Sequence, residues 1–172
     1  ERDMHPYEMI QTLRARREDQ WVKLRPASLY HKVDGLVARG LAEVVGTEQD
    51  GNRPPRTTYR LTDAGRELLV AWISSAITVV ENPYFSFSLA LGELEALGPE
   101  RAARLLTERV TVLDEHIAQM RDSLEQGRNQ GAKRIWMLAH EHRLATLTTE
   151  RDYIASVVHD IESKELTWPT SH

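Results

Sequence analysis

The chain has 172 residues, a net charge of −4 and no cysteine. Hydrophobic residues make up 41% of it and charged residues 28%, which is the balance of a folded globular protein. The lack of cysteine excludes disulfides, thiolate metal sites and cysteine nucleophiles. The sequence shows neither an apolar run of about 18 residues nor a signal peptide. We therefore expect a folded cytoplasmic protein and, because the chain begins at Glu1 and not at Met, part of a longer polypeptide.

The charge is unevenly distributed along the chain. Residues 1–66 carry 12 basic and 10 acidic side chains, whereas residues 67–172 carry 10 basic and 16 acidic ones. A mildly basic head on an acidic arm is typical of a phosphate-binding module on a scaffold that does not bind phosphate. A difference of this size also arises by chance, so only the motifs can show whether residues 1–66 bind phosphate.

Two helices are predicted at the start of the chain. Pro6 suits a first helical turn, and Tyr7, Ile10 and Leu13 follow it at helical spacing. Pro26 begins a second helix, which Gly40 ends.

The second helix has two unlike faces. Its apolar residues fall on one stripe, namely Leu29, Val33, Leu36 and Val37. The other side is polar, basic or small, and consists of Ser28, His31, Lys32, Gly35 and Arg39. Such a face, with a glycine that permits close approach, suits a helix lying in a DNA major groove. An ordinary solvated surface would show the same pattern.

A hairpin follows. Residues 41–45 and 57–61 have the character of strands, and residues 46–56 (GTEQDGNRPPR) that of the turn between them. Arg53, Arg56 and Arg60 lie at the tip and on the return strand, with no acidic residue between them, as expected of a wing that contacts phosphates. Thr62 then caps a helix that continues to Val80. Helix, helix, hairpin and helix is the order of a winged helix.

The rest of the chain is predicted to be helical. A junction segment, Pro83 to Glu95, concentrates aromatic residues. From Pro99, and again between about Ala132 and Lys164, apolar residues recur in steps of three and four. The resulting seam residues are Leu106, Val110, Leu113, Ile117, Met120, Leu124, Leu144, Leu147, Ile154, Val158 and Ile161. Since two helices cannot fully bury such seams alone, we expect a homodimer. The predicted fold class is mainly α (α+β), with a winged helix-turn-helix over 1–81 and a long-helix dimerisation domain over 82–172.

Three segments resemble the PadR family of bacterial transcriptional regulators. They are HPYEMIQTL, PASLYHKVDGLVARGL and RTTYRLTDAGRELL, within Met4 to Leu69. The resemblance implies a winged-helix head, a helical dimerisation domain and, usually, repression relieved by a small molecule. In two respects the sequence departs from the family: it lacks a further helix before His5, so part of the head core is expected to be missing, and it has His31 and Asp34-Gly35 where other residues are usual.

These patterns lead to one main hypothesis on function, a dimeric regulator that binds double-stranded operator DNA. The expected DNA-binding residues are Arg25, Ser28, Tyr30, His31, Lys32, Arg53, Arg56 and Arg60. Tyr30 lies at the edge of the apolar stripe, where it would also serve to brace the helix. A small apolar or aromatic effector would bind among Trp72, Tyr84, Phe85, Phe87 and Trp136, although such residues more often serve packing alone.

Two alternatives are weighed beside DNA binding. The first is a metal-dependent sensor or enzyme that uses His140, Glu141 and His142, with His116 or His159 nearby. It is disfavoured because residues two apart on a helix, such as His140 and His142, point in different directions. A winged-helix adaptor dimer that binds protein is the second alternative. We expect no catalysis, cofactor, metal or membrane partner, since no catalytic constellation or phosphate loop is present.

Overall fold

The computed structural model describes residues 2–16, 18, 24–48, 56–80 and 86–169. The chain divides into two compact units, Glu1–Asn82 and Pro83–His172. The first, here called the head, contains the helices α1 (Pro6–Ala15), α2 (Pro26–Ala38) and α3 (Asp63–Thr78) and the strands β1 (Ala42–Glu48) and β2 (Arg56–Leu61). The second, the arm, contains α4 (Ser86–Gly92), α5 (Pro99–Asn129) and α6 (Leu138–Glu162). The expected fold class and element order are confirmed.

The start of α1 is fixed by hydrogen bonds in both directions. The Tyr7 N–H donates to His5 Nδ1 at 3.1 Å, and the His5 N–H donates to Glu8 Oε2 at 3.0 Å. This is a capping box in which histidine takes the place of the usual serine or threonine. It satisfies two backbone donors that the first turn of a helix otherwise leaves without partners.

The two strands of the hairpin form a small sheet, and the chain segment before α1 pairs with its β2 edge. β1 and β2 pair antiparallel from Ala42 opposite Leu61 to Glu48 opposite Arg56, with a register shift between Val44 and Gly46. Met4 forms a β-bridge with Tyr59, through N–H···O bonds of 3.1 and 3.0 Å. The segment before α1 is therefore held against the free edge of β2.

The end of α2 and the start of α3 cross in close contact. Gly40 adopts φ 68°, a left-handed conformation that ends α2, and the chain turns into Leu41. The Thr62 N–H donates to the Leu41 carbonyl at 3.1 Å, and Thr62 Oγ1 donates to the Gly40 carbonyl at 2.8 Å. Thr62 Oγ1 also accepts from the Gly65 N–H at 3.1 Å, which caps α3. A Cβ at Gly65 would overlap the Leu41 carbonyl oxygen and lie 2.8 Å from Leu61 Cδ1.

The core of the head is small and open on one side. A cavity of about 430 Å³ lies between α1, α2 and the hairpin. Apolar side chains make up most of its lining, among them Met4, Met9, Leu13, Leu29, Val33 and Leu36. The limited burial makes the crossing of Leu41 and Gly65 more important for holding the elements together.

The core of the arm is made by α5 and α6 of the same chain. Of the eleven residues predicted to form the dimer seam, eight are buried and Val110, Leu144 and Val158 are partly buried against the same cluster. The seams therefore face each other within one chain, and they do not offer a free surface to a second copy. The homodimer stays a prediction, and it requires a different surface.

The start of α6 differs from the expected one. α5 continues through Gly127 to Asn129, and Gly131 adopts φ 73° just beyond it. A short 3-10 turn, Arg134–Trp136, then precedes α6, which begins at Leu138 and not near Ala132. The left-handed glycine ends α5, and the intervening chain makes the turn.

Replacing Gly65 by alanine tests the crossing. The new methyl group would overlap the Leu41 backbone, so we expect the head to lose roughly 3 kcal/mol of stability, despite the higher helix propensity of alanine. Chemical denaturation followed by circular dichroism measures this loss. Gly92→Ala is the matched control, because a Cβ at Gly92 meets no described atom within 4 Å. Equal stability of the two variants would show that the crossing is not tight.

Candidate nucleic-acid interface

The outward face of α2 is the polar and basic one that the sequence predicts. Val33 is buried, and Leu29, Leu36 and Val37 are partly buried, so the apolar stripe faces the head. The opposite side is exposed throughout, and comprises Ser28, His31, Lys32, Gly35 and Arg39. No carboxylate among the described residues pairs with Lys32, Arg39 or the exposed Arg56. These cations are therefore available to an external anion.

The ends of α2 fix the direction of this face. Pro26 occupies the first helical turn, and the exposed Arg25 is the N-cap residue without a side-chain capping bond. At the other end the Gly40 N–H donates to the Val37 carbonyl and the Leu41 N–H to the Leu36 carbonyl, both at 2.9 Å. Because Leu41 is also bonded to Thr62, the rotation of α2 is coupled to the hairpin and α3.

Tyr30 lies on the flank of α2, next to α1. Its ring meets the His5 ring edge-on, with 6.1 Å between the centroids and 74° between the planes. Tyr30 is 40% exposed, so it both braces the helix and borders the outward face. On the same flank Tyr59 Oη donates to Asp34 Oδ1 at 3.5 Å. Partial burial and the nearby Asp34 charge raise the pKa of Tyr59.

Arg60 differs from the other predicted wing residues because protein carboxylates already engage it. Its Nε lies 2.9 Å from Asp3 Oδ1 and its Nη2 lies 2.6 Å from Asp3 Oδ2, with Glu43 at 4.0 Å. The bidentate pair lowers the pKa of Asp3 and raises that of Arg60. Arg60 therefore ties the N-terminal segment to β2, whereas Arg56 remains exposed and Arg53 lies outside the described residues.

The Asp3–Arg60 pair predicts a pH-dependent contribution to stability. The pKa of Asp3 is lowered in the folded state, so the pair stabilises the head fully above the unfolded pKa, near pH 4, and this contribution is lost as the pH falls through the lower folded value. We expect Asp3→Asn to lower the melting temperature at pH 7, and this difference to shrink as the pH falls from about 4 through the lowered pKa of Asp3. Thermal melts across this range, with Asp122→Asn on α5 as the control, measure the difference. A difference that does not change with pH would contradict the role of the charge.

The effector candidates in the described residues do not share one environment. The rings of Trp72 and Trp136 are 65% and 68% exposed, and Lys133 Nζ lies 5.6 Å from the Trp136 ring. Phe87 is partly buried beneath the Arg109 guanidinium, whose Cζ lies 3.7 Å from the ring centroid. Arg109 on α5 in turn donates from Nε to Glu150 on α6 at 3.2 Å. Phe87 and Arg109 therefore belong to the packing of α4 against α5 within the arm. Tyr84 and Phe85 lie outside the described residues.

Neither a metal site nor a membrane helix is found in the part of the chain that the structure describes. No three potential ligands among His, Cys, Asp and Glu come together there. Glu141, which lies between His140 and His142 of the disfavoured metal site, is paired with Arg134 at N···O distances of 3.1 to 3.3 Å. No described helix is long and apolar enough to cross a membrane.

Comparison with known proteins identifies the head. Residues 1–71 match the Transcriptional regulator PadR-like family. The match covers 71 of the 172 residues and lies within the head. Because the family is one of transcriptional regulators, the expectation that the chain is not an enzyme is confirmed. The comparison with curated proteins gives no match.

The likeness of fold to PadR-like proteins extends well beyond the head. Bacillus subtilis PadR in complex with operator DNA has a TM-score of 0.79 at 16% identity, covering 92% of each chain. The same protein in complex with p-coumaric acid has a TM-score of 0.72 at 15% identity, over 93% of this chain and 91% of that one. The Vibrio cholerae virulence activator AphA has a TM-score of 0.73 at 17% identity, over 95% and 92%. At these identities the likeness shows a shared fold.

Some residues that shape this PadR-like head were not singled out from the sequence. His5 and Glu8 have the spacing of a capping box, so a search that allowed histidine as the cap would have found them. Asp3 carries no sequence signal, because its partner Arg60 is 57 residues away and meets it only through the bridge between Met4 and Tyr59.

Proposed function

We propose that this chain is a sequence-specific DNA-binding repressor that acts as a homodimer and leaves its operator when a small apolar or aromatic effector binds. The observation that carries the proposal is the exposed face of α2. Ser28, His31 and Lys32 lie on this face, and the opposite side of the helix is packed into the head. The PadR-like family match of residues 1–71 supports it.

The dimensions and charge of α2 suit the DNA major groove. Its 13 residues span about 20 Å along the axis, and the diameter of an α-helix with its side chains, about 10–12 Å, fits a groove about 12 Å wide. Ser28, Tyr30, His31 and Lys32 would lie in the major groove, the first three at base edges and Lys32 at a phosphate, while Arg25 and the wing residues Arg53 and Arg56 would contact flanking phosphates. We leave Arg60 out of this set, because its guanidinium is engaged by Asp3.

The phosphate contacts are testable by salt dependence. DNA selected from a random-sequence duplex library with the wild-type chain serves as the operator. We expect Lys32→Ala and Arg56→Ala each to weaken binding about tenfold and to reduce the slope of log K against log [salt] by about 2 per dimer, since each lost phosphate contact contributes about 1. Fluorescence anisotropy at several salt concentrations measures both.

The controls separate this role from a general effect of charge. Arg121→Ala removes an exposed arginine on α5 and should leave affinity and slope unchanged. If no sequence is enriched from the library, the DNA-binding proposal is wrong, and the winged-helix adaptor becomes the better hypothesis. If binding occurs but both head variants match wild type, the assignment of these residues is wrong.

The dimer part of the proposal is supported by α3. This helix exposes apolar residues at helical spacing, with Leu69 47%, Trp72 65%, Ile73 41% and Ile77 78% exposed. Val80, just beyond its end, is 95% exposed. Because the arm seams are filled within one chain, the α3 stripe is the apolar surface that a second copy would bury.

Charged substitutions on α3 test this surface. We expect Trp72→Glu and Ile77→Glu to convert the dimer to a monomer of 19.7 kDa, since a carboxylate would have to be buried without a partner. Light scattering after gel filtration measures the mass. Ala71→Glu, about 180° around α3 from the middle of the apolar row and also exposed, is the control and should remain dimeric. A dimer that survives both apolar substitutions would place the interface elsewhere.

Effector release is supported by the solved complex of Bacillus subtilis PadR with p-coumaric acid, whose fold this chain shares. A hydroxylated aromatic acid is therefore the first ligand to try. Trp72 and Trp136 give intrinsic fluorescence that would report its binding, and loss of anisotropy from the labelled operator would report release.

A further inference from the structure

Gly35 lies in the interior of α2, where the fold gives no reason for a glycine. Glycine is among the poorest helix formers, and helix interiors favour almost any other residue except proline. Its φ is not in the left-handed region, unlike that of Gly40 at 68°. The backbone of α2 would therefore accept an ordinary L-residue at position 35.

The surroundings of Gly35 do not require a glycine either. A Cβ built there meets no atom of the described residues within 4 Å, whereas a Cβ at Gly65 would overlap the Leu41 carbonyl oxygen. Gly65 is thus explained by a contact inside the head, and Gly35 is not. We therefore look for what meets Gly35 outside the described residues of the head.

The position of Gly35 on α2 indicates what approaches it. At about 100° per residue, Gly35 is some 200° around the helix from the buried Val33, and so near the middle of the outward face. His31 lies one turn before it and Arg39 one turn after it. Lys32 lies beside this row, so Lys32 and Arg39 are the cationic side chains near a patch of bare helix backbone, while Asp34 lies on the flank that faces Tyr59.

We propose that Gly35 is the point of closest approach between α2 and DNA, where base-pair edges at the floor of the major groove lie against the helix backbone. This inference rests on the proposed DNA-binding function and specifies how the helix sits in the groove. Without a side chain at position 35, the helix axis moves nearer to the bases, and Ser28 and His31 reach base contacts that a larger residue would hold away.

The proposal predicts opposite effects on stability and on binding. Gly35→Ala should raise the melting temperature by about 2 °C, because alanine favours the helix, yet weaken binding to the selected operator roughly tenfold, which is comparable to one mismatched base pair. Gly35→Leu should weaken it further. The salt slope should stay at the wild-type value in both, because no charge is removed, in contrast to Lys32→Ala.

Gly92→Ala is the matched control, since it adds the same methyl group to a helical glycine with no described neighbour within 4 Å and lies outside the head. It should leave operator affinity unchanged. If wild type binds the operator and Gly35→Ala binds as tightly, the close approach at Gly35 is wrong while the DNA-binding function stands. If wild type selects no DNA, it is the proposed function that fails. A weakened Gly35→Ala with a reduced salt slope would also overturn the proposal, because the loss would then be one of phosphate contacts.

Discussion

The head depends on the crossing of two backbone segments, at Leu41 and Gly65. Its core is small and its cavity open, so apolar burial alone gives a limited number of contacts between α2, the hairpin and α3. Where Leu41 passes Gly65, no side chain separates the two backbones, and Thr62 bonds to both Gly40 and Leu41. A single threonine and a single glycine therefore fix the angle between the end of one helix and the beginning of another.

This crossing also decides what the head can present to a partner. α2 ends at Gly40, β1 begins at Ala42, β2 ends at Leu61 and α3 begins at Asp63, so all four elements meet within a few residues of the crossing. The outward face of α2 and the hairpin residue Arg56 are consequently held on one rigid support. The Asp3–Arg60 pair attaches the N-terminal segment to the same support. The role of Arg60 is therefore to stabilise the fold and not to bind a ligand.

Local patterns predicted much of this structure because they depend on neighbouring residues. The stripe of Leu29, Val33, Leu36 and Val37 identified the buried side of α2, and the turn-rich segment before Thr57 identified the hairpin. Interactions between distant residues were less accessible. The seams of the arm have the same spacing whether they meet a second copy or each other, and only the close packing of α5 on α6 shows that they meet within one chain. In the same way, the basic character of Arg60 did not reveal its pairing with Asp3.

Residues that the fold does not explain are informative about function in this chain. The arm buries its apolar seam internally, whereas α3 in the head exposes a comparable row of apolar side chains to solvent, at a cost in hydration free energy. α2 similarly retains a helix-interior glycine that its own packing does not require. Both features reduce the stability of the isolated chain, and both lie on the unit that matches the PadR-like family. Because a fold under selection for stability alone would remove them, their presence on one unit supports the view that the head meets its partners there, DNA along α2 and a second copy along α3.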